Sequence, residues 1–271
     1  VLANYIIFAF MRFFLIISSI FFFFSCSEYQ KVLKSDNIEY KYTKALEYYN
    51  NSDYLKSLQL LETVLTNFND RQKSEEVYYH YIYATFYIKD YVSAAYHFNN
   101  FCLKFPSSSK KEEMSYMSAY CYYLQAPRYN LDQTNTYDAI IKLEAFIDSY
   151  PNSSRIKEAT QLIIDLNLKL EKKEFEIVKL YFETGKYMAS ITSVDDFLNR
   201  FPETSNKEEV FFIQTQSYYE LGINSIEEKK AQRIKDAIFA CNNFLLAFPS
   251  GNYTQEIESI YKKLKEIQNG L

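Results

Sequence analysis

The sequence predicts an all-α protein: about five helix pairs stacked as a right-handed superhelix, closed by a C-terminal capping helix. Three observations carry this. The 271 residues include only 4 Gly and 5 Pro, so few breakers that long helices and short connections are expected. Four of the five prolines follow an aromatic residue, at Phe105-Pro106, Tyr150-Pro151, Phe201-Pro202 and Phe248-Pro249. Each of these pairs ends a run whose apolar residues recur at helical spacing.

The first element stands apart from the array. Residues 13–24 read FFLIISSIFFFF, between Met11-Arg12 and Ser25-Cys26. One positive charge, an apolar core and a small residue form the pattern of an export signal. On this reading Met11 is the true start, residues 1–10 are an upstream extension, and residues 1–25 are the signal. A membrane helix over residues 5–24 is the alternative. It would hold Arg12 mid-membrane at roughly 2.5–3.5 kcal/mol. The Ser25-Cys26 junction resembles a bacterial lipobox, in which the cysteine thiol receives a diacylglycerol, although Phe23 stands where Leu is usual. Cys26 is then the lipid attachment site and residues 26–36 a tether, anchoring the protein on a membrane without crossing it.

From residue 37 two kinds of helix alternate. The second of each pair is written in YLKSLQLLETVLTNFN, YVSAAYHFNNFCLKFP, YDAIIKLEAFIDSYP, YMASITSVDDFLNRFP and IKDAIFACNNFLLAFP. Tyr91, Ala94, Ala95, Phe98, Phe101 and Phe105 fall on one helical stripe, and proline after the last aromatic stops the helix. The first helix of each pair is written in stretches such as EEVYYHYIYATFYIKD and EEVFFIQTQSYYELG, which open acidic, as the helix dipole favours. Asp90 and Gly185 mark turns before the next run.

The closing aromatics Phe68, Phe105, Tyr150, Phe201 and Phe248 are 37, 45, 51 and 47 residues apart. The shortest spacing is close to the tetratricopeptide repeat of about 34 residues. The extra length has visible sources. Residues 126–136, APRYNLDQTNT, insert a loop; residues 155–184 lack Gly and Pro and extend a helix; residues 222–232 extend the fifth unit. Residues Asn252 to Gln268 form the capping helix. Ala84, Ala94, Ala119, Ala139, Ala189 and Ala237 are expected where helices cross closely.

No catalytic constellation is present, so the chain is read as non-enzymatic, with no metal site and no cofactor. His80 and His97 are the only histidines, and both lie in aromatic helices. There is no HExxH, CxxC or phosphate loop. A formal charge of −4 gives no case for nucleic acid. Cys102, Cys121 and Cys241 have no framework spacing and read as small buried hydrophobes. The acid pairs Glu75-Glu76, Glu112-Glu113, Asp195-Asp196 and Glu208-Glu209 read mostly as solvated first-turn charge. The 27 tyrosines, without any tryptophan, suit core packing and a tyrosine-rich binding face. Tyr78, Tyr81, Tyr120 and Tyr123 are the candidate peptide-binding positions.

The stretches SCSEYQKVLKS, KALEYYNNSDYLKSLQLLE, APRYNLDQT followed by YDAIIKLEAFIDSYPNS, and LEKKEFEIVKLYFETGKYMASITSVDDFLNRFPETS carry a resemblance. From Cys26 to about residue 265 the chain resembles the BamD (YfiO) family of outer-membrane assembly lipoproteins, in a form like that of Bacteroidota. The resemblance implies a lipid-anchored protein on the periplasmic face of the outer membrane, within the complex that folds and inserts β-barrel proteins. It implies two partners: a barrel subunit with tandem periplasmic domains, and unfolded β-barrel substrates. Residues 37–123 would be the substrate end, 124–173 the middle, and 174–271 the docking end. Lys172, Lys173, Ser193 and Asp196 are the candidate docking residues. Ser193 stands where proteobacterial members carry a basic residue that pairs with the barrel subunit. Two rivals are weighed against this: a tetratricopeptide lipoprotein scaffold of another envelope complex, and an envelope hydrolase on a helical frame.

Overall fold

The structure, a computed structural model, describes residues 28–270. The expected export signal and the expected lipid attachment at Cys26 lie outside the described residues. A short helical stretch at residues 28–33 comes first. Eleven longer helices follow among the described residues: α1 (Ile38–Asn50), α2 (Tyr54–Val64), α3 (Arg71–Tyr87), α4 (Tyr91–Lys104), α5 (Lys111–Gln125), α6 (Thr134–Ser149), α7 (Ile156–Glu183), α8 (Tyr187–Arg200), α9 (Lys207–Ile223), α10 (Glu227–Ala247) and α11 (Thr254–Gly270). They are the five expected pairs and the capping helix.

Local chemistry sets the boundaries. Asn37, Asp53, Asp70 and Asp90 cap α1 to α4, each side-chain oxygen accepting from a backbone N–H three residues on. Within pairs the first helix ends in a left-handed residue: Ser52, Lys89 and Gly185 have φ of 61°, 66° and 70°. α7 reaches 28 residues, as a stretch free of Gly and Pro permits. The 222–232 segment is mostly helix, divided between the end of α9 and the first turns of α10.

The chain divides into two compact units, residues 28–125 with Asp138–Ala159, and Ala126–Tyr137 with residues 160–270. In the first, Tyr42, Leu60, Leu61, Val64 and Val77 form one core cluster, and Ile82, Ala94, Phe98, Phe101 and Met114 another. In the second, Val178, Val194, Phe197 and Val210 pack together, and Ile234, Cys241, Phe244, Ile257 and Leu264 form the C-terminal core.

Ala84, Ala94, Ala119, Ala139 and Ala237 are buried as expected, and Ala189 is not. In α8 the crossing falls one residue later, on Ser190. Its hydroxyl donates to the Val178 carbonyl at 3.4 Å and accepts from the Ser217 hydroxyl at 3.1 Å. A pair of serines meets there because each hydroxyl has a partner, which removes the burial penalty. Ala94→Phe is expected to lower stability by roughly 1–3 kcal/mol through overpacking. An unchanged melting temperature would contradict the placement of Ala94.

The aromatic-Pro stops carry a second device. In Phe105-Pro106-Ser107-Ser108, Tyr150-Pro151-Asn152-Ser153 and Phe201-Pro202-Glu203-Thr204, the last hydroxyl accepts from the N–H two residues on, at 3.0, 3.1 and 3.0 Å. The same hydroxyl donates to a carboxylate on the first helix of its pair. Ser108 bonds Glu75 at 2.7 Å, Ser153 bonds Glu112 at 2.5 Å and Thr204 bonds Glu171 at 2.6 Å. At the fourth stop Gly251 replaces the hydroxyl residue. A Cβ there would lie 2.2 Å from Glu208 Oε1, which instead accepts from the Tyr253 N–H at 3.2 Å. Asn252 also donates to Glu208, so the capping helix begins at Thr254 rather than at Asn252. The reading of Glu75, Glu112 and Glu208 as solvated first-turn charge is therefore corrected: each ties the end of its pair to the start.

Candidate peptide-binding face and docking groove

In the first unit the tyrosines of α3 recur at positions 79, 83 and 87, one side of a helix. Ring centroids of Tyr79 and Tyr83 are 4.7 Å apart, and those of Tyr83 and Tyr87 are 6.0 Å apart. Tyr87 stacks on Tyr54 of α2 at 4.5 Å, and Tyr49 of α1 meets both edge-on. Phe86 reaches Tyr120 of α5 at 6.4 Å. Tyr120 continues into a stacked ladder with Tyr116 and Tyr123, at 6.0 and 5.9 Å. An aromatic band thus runs from Tyr54 to Tyr123 over four helices: Tyr83 and Tyr116 are its buried base, 7% and 2% exposed, and Tyr87 is its most open point, at 43%. Burial pushes the hydroxyls of Tyr49, Tyr79 and Tyr120 above the ordinary tyrosine range, so they stay protonated and can donate.

Of the four tyrosines singled out in the sequence, Tyr120 and Tyr123 lie together in this band. Tyr78 does not. It is 7% exposed, its ring stacks on Phe101 at 6.2 Å and its hydroxyl lies 3.0 Å from His97 Nδ1. It points into α4 and packs the core, and burial raises its hydroxyl to about 12. Tyr81 is half-buried and meets the His97 ring edge-on at 5.0 Å. Tyr49, Tyr54 and Tyr87 were missed. The spacing of Tyr79, Tyr83 and Tyr87 was the available signal.

The groups that could serve as nucleophile or base have structural partners. The His80 and His97 imidazoles are depressed by burial and neutral at neutral pH. His80 Nδ1 lies 2.9 Å from the Glu76 carbonyl, and its ring packs against Tyr49 at 5.2 Å. Burial drives the Cys121 and Cys241 thiols up to about 12, which removes thiolate reactivity. Cys102 is only half-buried, and its thiol donates to the Phe98 and Lys111 carbonyls. Among the described residues no cluster of His, Cys, Asp and Glu could hold a metal ion. No described helix is long and apolar enough to cross a membrane.

In the second unit Ser193 and Asp196 line one open groove of about 540 Å³ with Tyr181, Met188, Ala189 and Thr192. Met188 is 53% exposed there. The Ser193 hydroxyl donates to the Ser190 carbonyl at 2.9 Å, which leaves the Asp196 carboxylate and the Met188 thioether facing outward. Lys172 and Lys173 serve a different place. Lys172 Nζ sits 4.5 Å over the Tyr129 ring, and Lys173 Nζ donates to the Leu131 carbonyl at 2.7 Å.

Both lysines hold the loop between α5 and α6. Gln133, 4% exposed, donates its amide to the carbonyls of Arg128, Tyr129 and Leu131 and accepts from the Thr136 hydroxyl. Asp132 accepts from the Thr134 N–H at 2.9 Å, and hydrogen bonding from the Thr134 side chain, then from its N–H, holds the carboxyl below the usual range. Lys169 Nζ donates to the Ala126 carbonyl at 3.3 Å. The Leu-Asp-Gln-Thr sequence is therefore a folding signal for the loop: Asp132 and Gln133 satisfy backbone groups that the inserted residues would otherwise leave unpaired.

The family model described as outer membrane lipoprotein, YfiO, matches residues 35–234 and 190–271. The chain is also similar to curated proteins named outer membrane protein assembly factor BamD. It is 28% identical to that of Caulobacter vibrioides over 148 residues, covering 55% of this chain and 48% of the relative. The Vibrio cholerae protein is 20% identical over 219 residues, covering 77% of this chain and 91% of the relative. A putative factor of the same name from Aquifex aeolicus is 27% identical over 175 residues, covering 63% and 56%. The matched region spans about half the length of the Caulobacter relative. With the family model covering nearly all of the helical pairs, the chain belongs to the YfiO family of outer membrane lipoproteins.

Proposed function

We propose that the protein is a non-catalytic component of the machinery that folds and inserts β-barrel proteins into the outer membrane. On this reading Cys26 carries a lipid anchor on the periplasmic face. Residues 37–123 receive unfolded barrel substrates, and residues 174–271 dock a periplasmic domain of the barrel subunit. Family membership supports the system and the location. The observation that carries the activity is the aromatic band from Tyr54 to Tyr123.

An unfolded barrel strand displays alternate apolar and aromatic side chains with free backbone groups. Tyrosine faces offer flat apolar contact at low entropic cost, and protonated hydroxyls offer donors to backbone carbonyls. No bond is broken, so no nucleophile is needed. At the docking end, the Tyr181–Met188–Asp196 groove fits a partner that brings an apolar residue beside a basic one. Asp196 supplies the charge there, in place of the basic residue absent at Ser193.

Affinity capture of the full-length protein from detergent-solubilised envelopes, followed by mass spectrometry, tests the reading. The expected catch is a large β-barrel protein with tandem periplasmic domains, with a bait acylated at Cys26. Capture of a transporter or motility component instead would overturn the function and leave the fold standing.

A further inference from the structure

The cleft between the α5–α6 loop and α7 has no part in the proposed function. It is open to solvent, spans about 590 Å³ and is lined by Arg128, Tyr129, Asn130, Asp165, Leu168, Lys169 and Lys172. Three of these side chains are cations and one is a carboxylate, so the cleft holds an excess of two positive charges. Arg128, Lys169 and Lys172 form no ion pair among the described residues. Asp165 is already engaged, accepting from Gln161 at 3.0 Å.

Lys169 is the informative residue. It is half-buried, and its ammonium is depressed by desolvation with no compensating carboxylate. Its one protein acceptor is a neutral carbonyl at 3.3 Å. A partly desolvated, unpaired cation costs stability unless a ligand supplies the missing charge. The loop opposite is also built in advance. Gln133 ties three of its carbonyls, and Lys173 of α7 donates to one of the same three, that of Leu131. That rigidity lowers the entropic cost of binding at the cleft.

We propose that this cleft binds a phosphate group, with Arg128, Lys169 and Lys172 as its ligands. A phosphate monoester is close to a dianion at neutral pH and has three acceptor oxygens. It matches both the excess charge and the three donors. The Arg128 guanidinium supplies the planar fork suited to phosphate, and the two ammonium groups act as point charges. The Tyr129 ring carries the Lys172 ammonium over its face at 4.5 Å, and Leu168 offers an apolar contact for whatever the phosphate is attached to. The group reaches this site either on a soluble molecule or as a lipid headgroup.

The full-length protein in neutral detergent is titrated with inorganic phosphate, glycerol 3-phosphate and the diester glycerophosphoglycerol, and binding is followed by phosphorus NMR. Saturable binding that weakens at high salt is expected. Lys172→Gln together with Arg128→Gln is expected to weaken it by about tenfold, and Asp165→Asn to tighten it. Preference for the monoester over the diester identifies a soluble phosphorylated ligand; equal binding of the diester identifies a headgroup. Absence of saturable binding by all three probes, or binding unmoved by the double substitution in a protein of unchanged melting temperature, overturns the proposal.

Discussion

Replacing Tyr87 and Tyr120 together with alanine is expected to weaken binding of an unfolded barrel strand by about 30-fold or more. Tyrosines at the centre of an interface each contribute on the order of 1–2 kcal/mol on truncation. Two of them at the low end give about 2 kcal/mol, which is roughly 30-fold. The choice of pair follows from the geometry. Tyr87 is the open end of the α3 stripe and stacks on Tyr54, while Tyr120 links Phe86 to the α5 ladder. Losing both cuts the band at two places. The measurement is fluorescence anisotropy of a labelled peptide with alternating aromatic residues. A melting curve on the same sample separates lost binding from lost folding, since Tyr120 is half-buried. Leu103→Ala, at an exposed position of α4, is the control and should bind as the parent does. Equal affinity of parent and double variant would remove the band from the reading. Loss on Tyr81→Ala instead would move the binding face to the α4 side.

Four of the five helix pairs were legible because two signals agree at their ends, the first pair closing at Phe68-Asn69 without a proline. The aromatic-Pro stops at Phe105, Tyr150, Phe201 and Phe248 coincide with periodic apolar runs, and Asp90 and Gly185 occupy the cap and the left-handed turn they suggested. The stripe of α4 was readable in the same way, because Ala94, Phe98 and Phe101 all face one core. The binding face was harder. In α3 the apolar and aromatic residues cover most of the helix, since it packs against both α2 and α4, so no single side stands out. Tyr78 and Tyr79 are adjacent and chemically alike, yet one stacks in the core on Phe101 and the other joins the band with Tyr83. They lie about 100° apart around the helix, so the 79/83/87 spacing separates them, but which of the two sides faces α4 depends on how α3 is turned against its neighbours, and composition does not set that rotation.

The acid residues failed for a related reason. Glu112 and Glu208 sit in first turns, where helix dipoles favour negative charge, and that local cause was sufficient to explain them; Glu75 lies a turn further in, because α3 begins at Arg71. Their true partners are 33, 41 and 45 residues away in sequence. A recurring Ser or Thr three residues after the closing aromatic was visible in three of the four stops. Its link to a glutamate on another helix requires the pair to be folded. The loop after α5 shows the opposite case. Asp132 and Gln133 act on residues within five positions of themselves, so short-range chemistry accounts for the conformation.

Phe98→Ala is expected to lower stability by about 3–5 kcal/mol. The ring has no solvent exposure, and the edges of Tyr83 and Phe86 meet it at 5.3 and 6.2 Å. Truncation loses the transfer energy of the ring and leaves a cavity that three helices must close around. Collapse is resisted because Ala94, Ala95 and Phe101 of the same stripe already pack tightly. Phe239 of α10 is the contrast: it is 67% exposed, and its replacement by alanine should change stability by less than about 0.5 kcal/mol. Hydrogen exchange makes the expectation local. Repeat arrays are stabilised mainly by neighbouring interfaces, so amides of α3, α4 and α5 should lose protection while those of α10 and α11, around Phe244 and Ile257, keep theirs. Uniform loss along the whole chain would mean one cooperative unit and would contradict the nearest-neighbour account. Unchanged protection in α4 would contradict the placement of Phe98 itself.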